Sequence, residues 1–227
     1  MIIFENFQKA YKGLEIIKKS SFTIDSSKVT FFMGPNGAGK TTLIKCLAGL
    51  ENYNGIISVE NTDIDEVRKN MFVIWDDCPF YEEMTGLENL IVMSECTSQL
   101  KEVREKMLTI SKQYFPIELI RRKVKTYSYG QRKKLALILQ RALRPQIIVM
   151  DEISNGLDFD SMKQFKNDIT KMGKNTPIIL TGHQFSFYEG LVEDVFIIKN
   201  GKIENVTSES TSNLDDLENI YERHFSK

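Results

Sequence analysis

The chain has 227 residues, 41% of them hydrophobic, with 30 basic and 31 acidic side chains and a formal net charge of −1. That length can bury a substantial core, and the balanced charge supplies no global basic field, so nucleic acid is not an expected partner. The longest uncharged apolar stretches, such as TFFMG and IIVM, fall far short of the roughly 20 residues needed to cross a bilayer.

At the N-terminus, MIIFENFQKAYKG has an acid at position 5 and no long apolar run, so it does not read as a secretory signal and a cytosolic location is expected. MIIFENF and SFTIDSS alternate apolar and polar residues, and GIISVENT extends the pattern, which predicts a small antiparallel sheet. The clearest strands beyond it are Val29–Gly34, Met71–Asp76, Ile147–Asp151, Pro177–Gly182 and Asp194–Ile203. Several are apolar throughout, as in strands buried on both faces of a parallel sheet, and the fold class is α/β.

From Thr85 to Ser128 the character is helical. LENLIVMSECTSQL and LKEVREKMLTISKQYF carry apolar residues at helical spacing, which predicts a helical insertion in the α/β core. QRKKLALILQRAL then places Leu135, Ile138, Leu139 and Ala142 on one helix face, ended by Pro145. The acidic tail NLDDLENIYERHF is expected to be helical. Cys46, Cys78 and Cys96 form no CxxC pair and are odd in number, so they read as small apolar fillers in a reduced compartment.

GPNGAGKTT fits GxxxxGK[ST] between a buried strand and the helix TTLIKCLAGL. Gly34, Pro35, Asn36, Gly37, Ala38 and Gly39 form a loop whose backbone N–H groups can curl round phosphates. Lys40 adds a full positive charge at the helix start, Thr41 offers a hydroxyl to Mg²⁺, and Thr42 follows in the first turn. IIVMDE carries two carboxylates out of a hydrophobic strand. Asp151 is suited to orient Mg²⁺ or its waters, and Glu152 to deprotonate an attacking water. A nucleoside triphosphate is therefore the expected ligand.

In this order the motifs resemble the nucleotide-binding subunit of ATP-binding cassette (ABC) transporters, over nearly the whole chain. The resemblance implies ATP and Mg²⁺ as cofactors. It implies one ABC ATPase domain over 1–227, a P-loop NTPase (RecA-like) core with a small N-terminal antiparallel β subdomain and a helical signature subdomain inserted at about 77–130. Tyr11 lies where the family has an aromatic that stacks on adenine. Asn155, Gly156, Leu157 and Asp158 match the D-loop, and His183 matches the switch histidine that reaches the γ-phosphate.

YSYGQ falls at the family signature, usually LSGGQ: Ser128, Gly130 and Gln131 are kept, while Tyr127 and Tyr129 replace Leu and Gly. In the family this loop caps the γ-phosphate held by the other subunit of a head-to-tail dimer. Tyr129 fits only if its side chain turns away from that phosphate. Asp76 stands where the Q-loop glutamine is usual, a shorter and charged oxygen ligand for a metal, and Ile153 replaces the proline after the two acids.

The resemblance implies a homodimer or paired cassette that drives a separate integral-membrane subunit, held peripherally on the inner face of the membrane. Residues 76–85 are the expected contact surface. The short C-terminal region resembles cassettes serving export of drugs, peptides or envelope components. A soluble ABC ATPase such as an iron–sulfur assembly factor is the alternative, together with a nucleotide-switched module that hydrolyses poorly; Glu152 and His183, both present, argue against the latter.

Overall fold

The computed structural model describes residues 1–95, 100–172, 176–207 and 216–226. In chain order the strands are β1 (Ile2–Tyr11), β2 (Leu14–Ile24), β3 (Val29–Met33), β4 (Asn54–Val59), β5 (Thr62–Asp63), β6 (Met71–Ile74), β7 (Ile147–Met150), β8 (Ile178–Thr181), β9 (Asp194–Lys199) and β10 (Lys202–Asn205). The helices are α1 (Lys40–Leu47), α2 (Ile64–Val67), α3 (Gly86–Ser94), α4 (Leu100–Tyr114), α5 (Ile117–Ile120), α6 (Tyr129–Leu143), α7 (Phe159–Met172), α8 (Phe185–Tyr188) and α9 (Leu217–Phe225).

Two sheets result. The alternating N-terminal segments pair antiparallel in the order β2-β1-β4-β5, as their pattern predicts. The second sheet runs β10-β9-β3-β8-β7-β6, parallel except for the β9–β10 pair. Its central strands bury successive residues on opposite sides. Phe31 and Met33 point to one core and Phe32 to the other, and Ile148 and Met150 oppose Ile147 and Val149 in the same way. Two-sided burial is what the unbroken apolar runs encode. One core packs the sheet against α3, α4, α6, α7 and α9; the other lies between the sheet, α1 and the antiparallel layer, where Phe22 bridges Phe4, Phe32 and Phe196.

The expected single strand over Asp194–Ile203 is instead a hairpin. Asn200 and Gly201 both take positive φ, 52° and 80°, the two-residue turn that folds β10 back on β9. Polar Asn-Gly in the middle of an apolar run was the local signal. The sequence reading also passed over α7, whose buried face is Ser161, Phe165, Asp168 and Ile169. Cys96 and residues 213–215 of the acidic tail lie outside the described residues, while α9 forms the helix expected from Leu217 onward.

Capping fixes where the inserted helices begin. Thr85 caps α3 in a reciprocal box with Glu88, and Ser128 caps α6 in the same way with Gln131. The basic start of α6 is not a uniformly solvated face. Arg132 pairs with Glu82, but Lys133 is fully buried, and α6 buries residues all round rather than on the one expected face.

Candidate functional site

Strands β3, β8 and β7 are neighbours, and the loops leaving their carboxyl ends carry the chemistry, as ligand sites in open α/β sheets do. After β3, the loop turns through an Ala38 N–H to Pro35 carbonyl bond of 3.1 Å into α1. Gly39 immediately precedes α1 at φ 109°, a conformation closed to other residues, and its carbonyl accepts from Leu43 at 2.8 Å. Lys40 is buried, and its ammonium donates to the Gly34 carbonyl at 2.7 Å and lies 3.2 Å from His183 Nε2. Burial lowers the Lys40 pKa, partly opposed by Glu152 and Asp151.

Asp151, buried at the end of β7, accepts from Thr41 Oγ1 at 3.0 Å and from Thr181 Oγ1 at 2.5 Å. Glu152 follows with φ 51°, a strained value for a residue with a Cβ, and its N–H donates to Thr181 Oγ1 at 3.2 Å. Its Oε1 stands 3.3 Å from His183 Nε2, and its Oε2 is buried without a partner. Burial pushes the Glu152 carboxyl above the usual carboxylate range, against the pull of Lys40. Burial, with Lys40 close by, lowers the His183 pKa, so the imidazole is neutral at physiological pH.

These groups surround one cleft of about 490 Å³, lined by Tyr11, Asn36 to Thr42, Asp76, Glu152, Asn155 and His183. That is room for a nucleotide-sized ligand. Tyr11, the last residue of the bulged strand β1, lines the cleft. Its ring is partly exposed, with the Lys9 ammonium 4.4 Å from its centroid. Asp76 sits on the rim, also lining an adjoining depression with Thr41 and Asp151, but its Oδ1 is turned to Asn155 Nδ2 at 3.3 Å and Lys133 Nζ at 3.4 Å. Ser128, Tyr129, Gly130 and Gln131 do not line the cleft. Asp158 instead accepts from the Ser161 N–H at the start of α7.

Thr41 and Asp151 supply hard oxygen donors of the kind Mg²⁺ takes, directly or through water. Among the described residues no three His, Cys, Asp or Glu side chains group into a metal site by themselves. The donor set therefore fits a cation shared with ligand phosphates and water.

A family model described as ABC transporter matches residues 17–155, more than half of the chain. The chain belongs to the ABC transporter family. Within it the chain is a nucleotide-binding subunit, and it is an ATPase. It is similar to an uncharacterized ABC transporter ATP-binding protein, YdbJ of Bacillus subtilis (strain 168), at 29% identity over 88% of this chain and 66% of that protein. It is 28% identical to the methionine import ATP-binding protein MetN of Clostridioides difficile (strain 630), over 89% of this chain and 67% of that one. The fold of this cassette matches a solved ATP-binding subunit of an ABC transporter with a TM-score of 0.83 at 20% identity, over 100% of this chain and 95% of that one.

Two groups the motifs did not point to complete the site. Thr181 joins Asp151, the Glu152 backbone and β8, and its signal was a lone hydroxyl at the end of a buried apolar strand, which must find partners. Lys133 is the other. It sits three and four residues before the buried Ala136 and Leu137 on α6, but inside the run Arg132-Lys133-Lys134 it reads as surface.

Proposed function

We propose that this chain is the ATP-hydrolysing subunit of an ABC transporter, closing head to tail with a second cassette around two ATP to drive a separate membrane subunit. The observation that carries the reading is the division of the site: Asn36 to Thr42, Glu152 and His183 share one cleft, with Asp151 in the adjoining depression, while Ser128, Gly130 and Gln131 lie outside it at the start of another helix. A helix N-terminus with a serine cap is an anion site, and here it serves a phosphate brought by the partner.

In this reading the loop of Gly34 to Gly39 and Lys40 bind the phosphates, with Thr42 in the first turn and Tyr11 against the base. Mg²⁺ would be held by Thr41, with Asp151 orienting its waters and Asp76 a further oxygen at the rim, and when bound it neutralises charge on the phosphates. Glu152 takes the proton of the attacking water, burial making its carboxylate a stronger base than an ordinary glutamate. His183 faces the terminal phosphate. Asn155 to Asp158 form the loop between the hydrolytic turn and α7.

The membrane subunit is proposed to dock at residues 76–85, beside an apolar groove of about 810 Å³ between the edge strand β6 and α3 and α6, lined by Phe72, Trp75, Phe80, Tyr81, Met93 and Leu139 among others. No helix among the described residues is long and apolar enough to cross a membrane, and attachment through that partner would place the chain on the inner membrane face. Relatives named for methionine import, phosphonates import and tungstate uptake share this cassette at 28%, 27% and 24% identity. These names favour import over the export of a drug, peptide or envelope component expected from the sequence.

A slowly hydrolysing nucleotide switch is the second reading, favoured by the Asp76 carboxylate being turned to Lys133 and Asn155. Light scattering of the Glu152→Gln variant tests the first. It should be monomeric with ADP and dimeric with ATP; dimers formed equally without ATP would rule out the sandwich.

A further inference from the structure

Four oxygens from two segments of the chain converge on one buried ammonium. Lys133 Nζ lies 2.8 Å from the Glu152 carbonyl, 3.0 Å from that of Ile153 and 2.9 Å from that of Asn155, with Asp76 Oδ1 at 3.4 Å. An ammonium has three N–H donors, so the three carbonyls take them all and Asp76 is left as the charge partner. A buried ammonium persists only where such acceptors replace its water.

Tyr129, one turn earlier on α6, lays its ring over the same ammonium, 4.8 Å from Nζ to the centroid. The ring also covers Gly156, where a Cβ would stand 2.6 Å from it. Its side chain therefore turns into its own chain's D-loop. Asp76 and Tyr129, the two departures from the family pattern, thus meet on Lys133 as parts of one assembly.

We propose that Lys133 is a positioning residue for ATP hydrolysis: it holds the Glu152–Asn155 turn through its carbonyls and ties that turn to Asp76 and, through Tyr129, to the signature loop. The inference rests on the reading of Glu152 as the base. Glu152 is held at a strained positive φ, and a backbone in that state needs an outside hold, which its own carbonyl receives from Lys133. With the hold removed, the turn relaxes and the carboxylate leaves the water's position, while the phosphate loop, which Lys133 does not touch, keeps binding ATP.

The experiment measures steady-state ATPase against ATP concentration, affinity for a fluorescent ATP analogue, and melting temperature, in Lys133→Met, Lys133→Arg, Asp76→Asn and the Asp76→Asn/Lys133→Met double variant. Lys133→Met should lose kcat by on the order of 10²-fold, the scale of a small misplacement of a reacting group, with analogue affinity within about threefold of the parent. Lys133→Arg, which keeps the charge and the donors, should recover part of it. Asp76→Asn should cost less, and the double variant less than the product of the singles, because the part of the Asp76 role that passes through Lys133 is already lost in Lys133→Met.

Wild-type kcat in Lys133→Met, or loss of kcat in step with analogue affinity and melting temperature, overturns the proposal. If Lys133→Met does not fold, Lys133→Arg and Asp76→Asn with their double variant carry the same test, and purely multiplicative effects overturn it. Failure of the underlying reading looks different: the unmodified protein would not hydrolyse ATP, or Glu152→Gln would match it.

Discussion

Thr41 and Asp151, 110 positions apart in the chain, are joined by a hydrogen bond of 3.0 Å. The hydroxyl in the first turn of α1 and the carboxylate that follows β7 thus stand side by side, where one cation could meet both oxygens. Asp151 keeps its bond to Thr181 if Thr41 is truncated. Thr41→Ala should therefore fold normally while its ATPase requires about 10- to 100-fold more Mg²⁺, the range seen when a metal's supporting oxygens are removed. A Mg²⁺ titration of initial rates, with a melting curve as control, checks both halves.

Glu152→Gln should lower kcat by about 10²- to 10⁴-fold, the usual contribution of a positioned general base. It should also stabilise the nucleotide-free protein. Glu152 Oε2 is buried with no partner and burial raises its pKa, so the ionised carboxylate costs folding energy that a neutral amide does not. A gain of about 1 kcal/mol corresponds to a melting temperature about 2–4 °C higher for a chain of this size. Calorimetry without nucleotide, compared with single-turnover hydrolysis, separates the two effects.

Ser128→Arg should abolish hydrolysis and ATP-driven dimer closure while leaving monomer ATP affinity near the parent value, because Ser128 does not line its own chain's cleft. Loss of the Ser128 cap on α6 should cost about 1 kcal/mol of stability. Equilibrium binding of ATP to the monomer, set beside light scattering, distinguishes a lost trans contact from a lost binding site. Unchanged ATPase would reduce the loop to a plain helix start.

Burial pushes the Cys46 thiol up to about 11 and the Cys78 thiol up to about 12, from an ordinary value of 9.0. At pH 8 the thiolate fraction of either is roughly one in a thousand or less, so both should resist maleimide in the native protein and react on denaturation. The linked stability is fully present below pH 9, the unfolded thiol's value, and is lost as pH rises through about 11 to 12. Mass-spectrometric mapping of labelled cysteines, with alkaline melting curves, tests this; fast native labelling of Cys78 would contradict its burial.

The phosphate loop and the two acids after β7 were legible because their chemistry is confined to short contiguous segments. The parallel sheet showed through its unbroken apolar runs. Thr181 and Lys133 were hidden for the opposite reason. Their partners lie on other strands and loops, Asp151 at 30 positions from Thr181 and Glu152 at 19 from Lys133, and nothing local marks a lysine in a basic run as buried. Tyr129 read as an isolated oddity until its ring was seen against Gly156.

Helix α6, 15 residues and so about 22 Å long, has one end at the signature loop and the other at Pro145, where Leu139, Leu143 and Pro145 wall the apolar groove beside β6. In its second turn it touches the hydrolytic turn through Lys133. One continuous helix thus links three places the proposed transporter would have to connect: the groove offered to a membrane subunit, the turn that carries Glu152, and the loop offered to a second cassette. In that assembly a displacement at the groove would reach the other two without any change inside the helix.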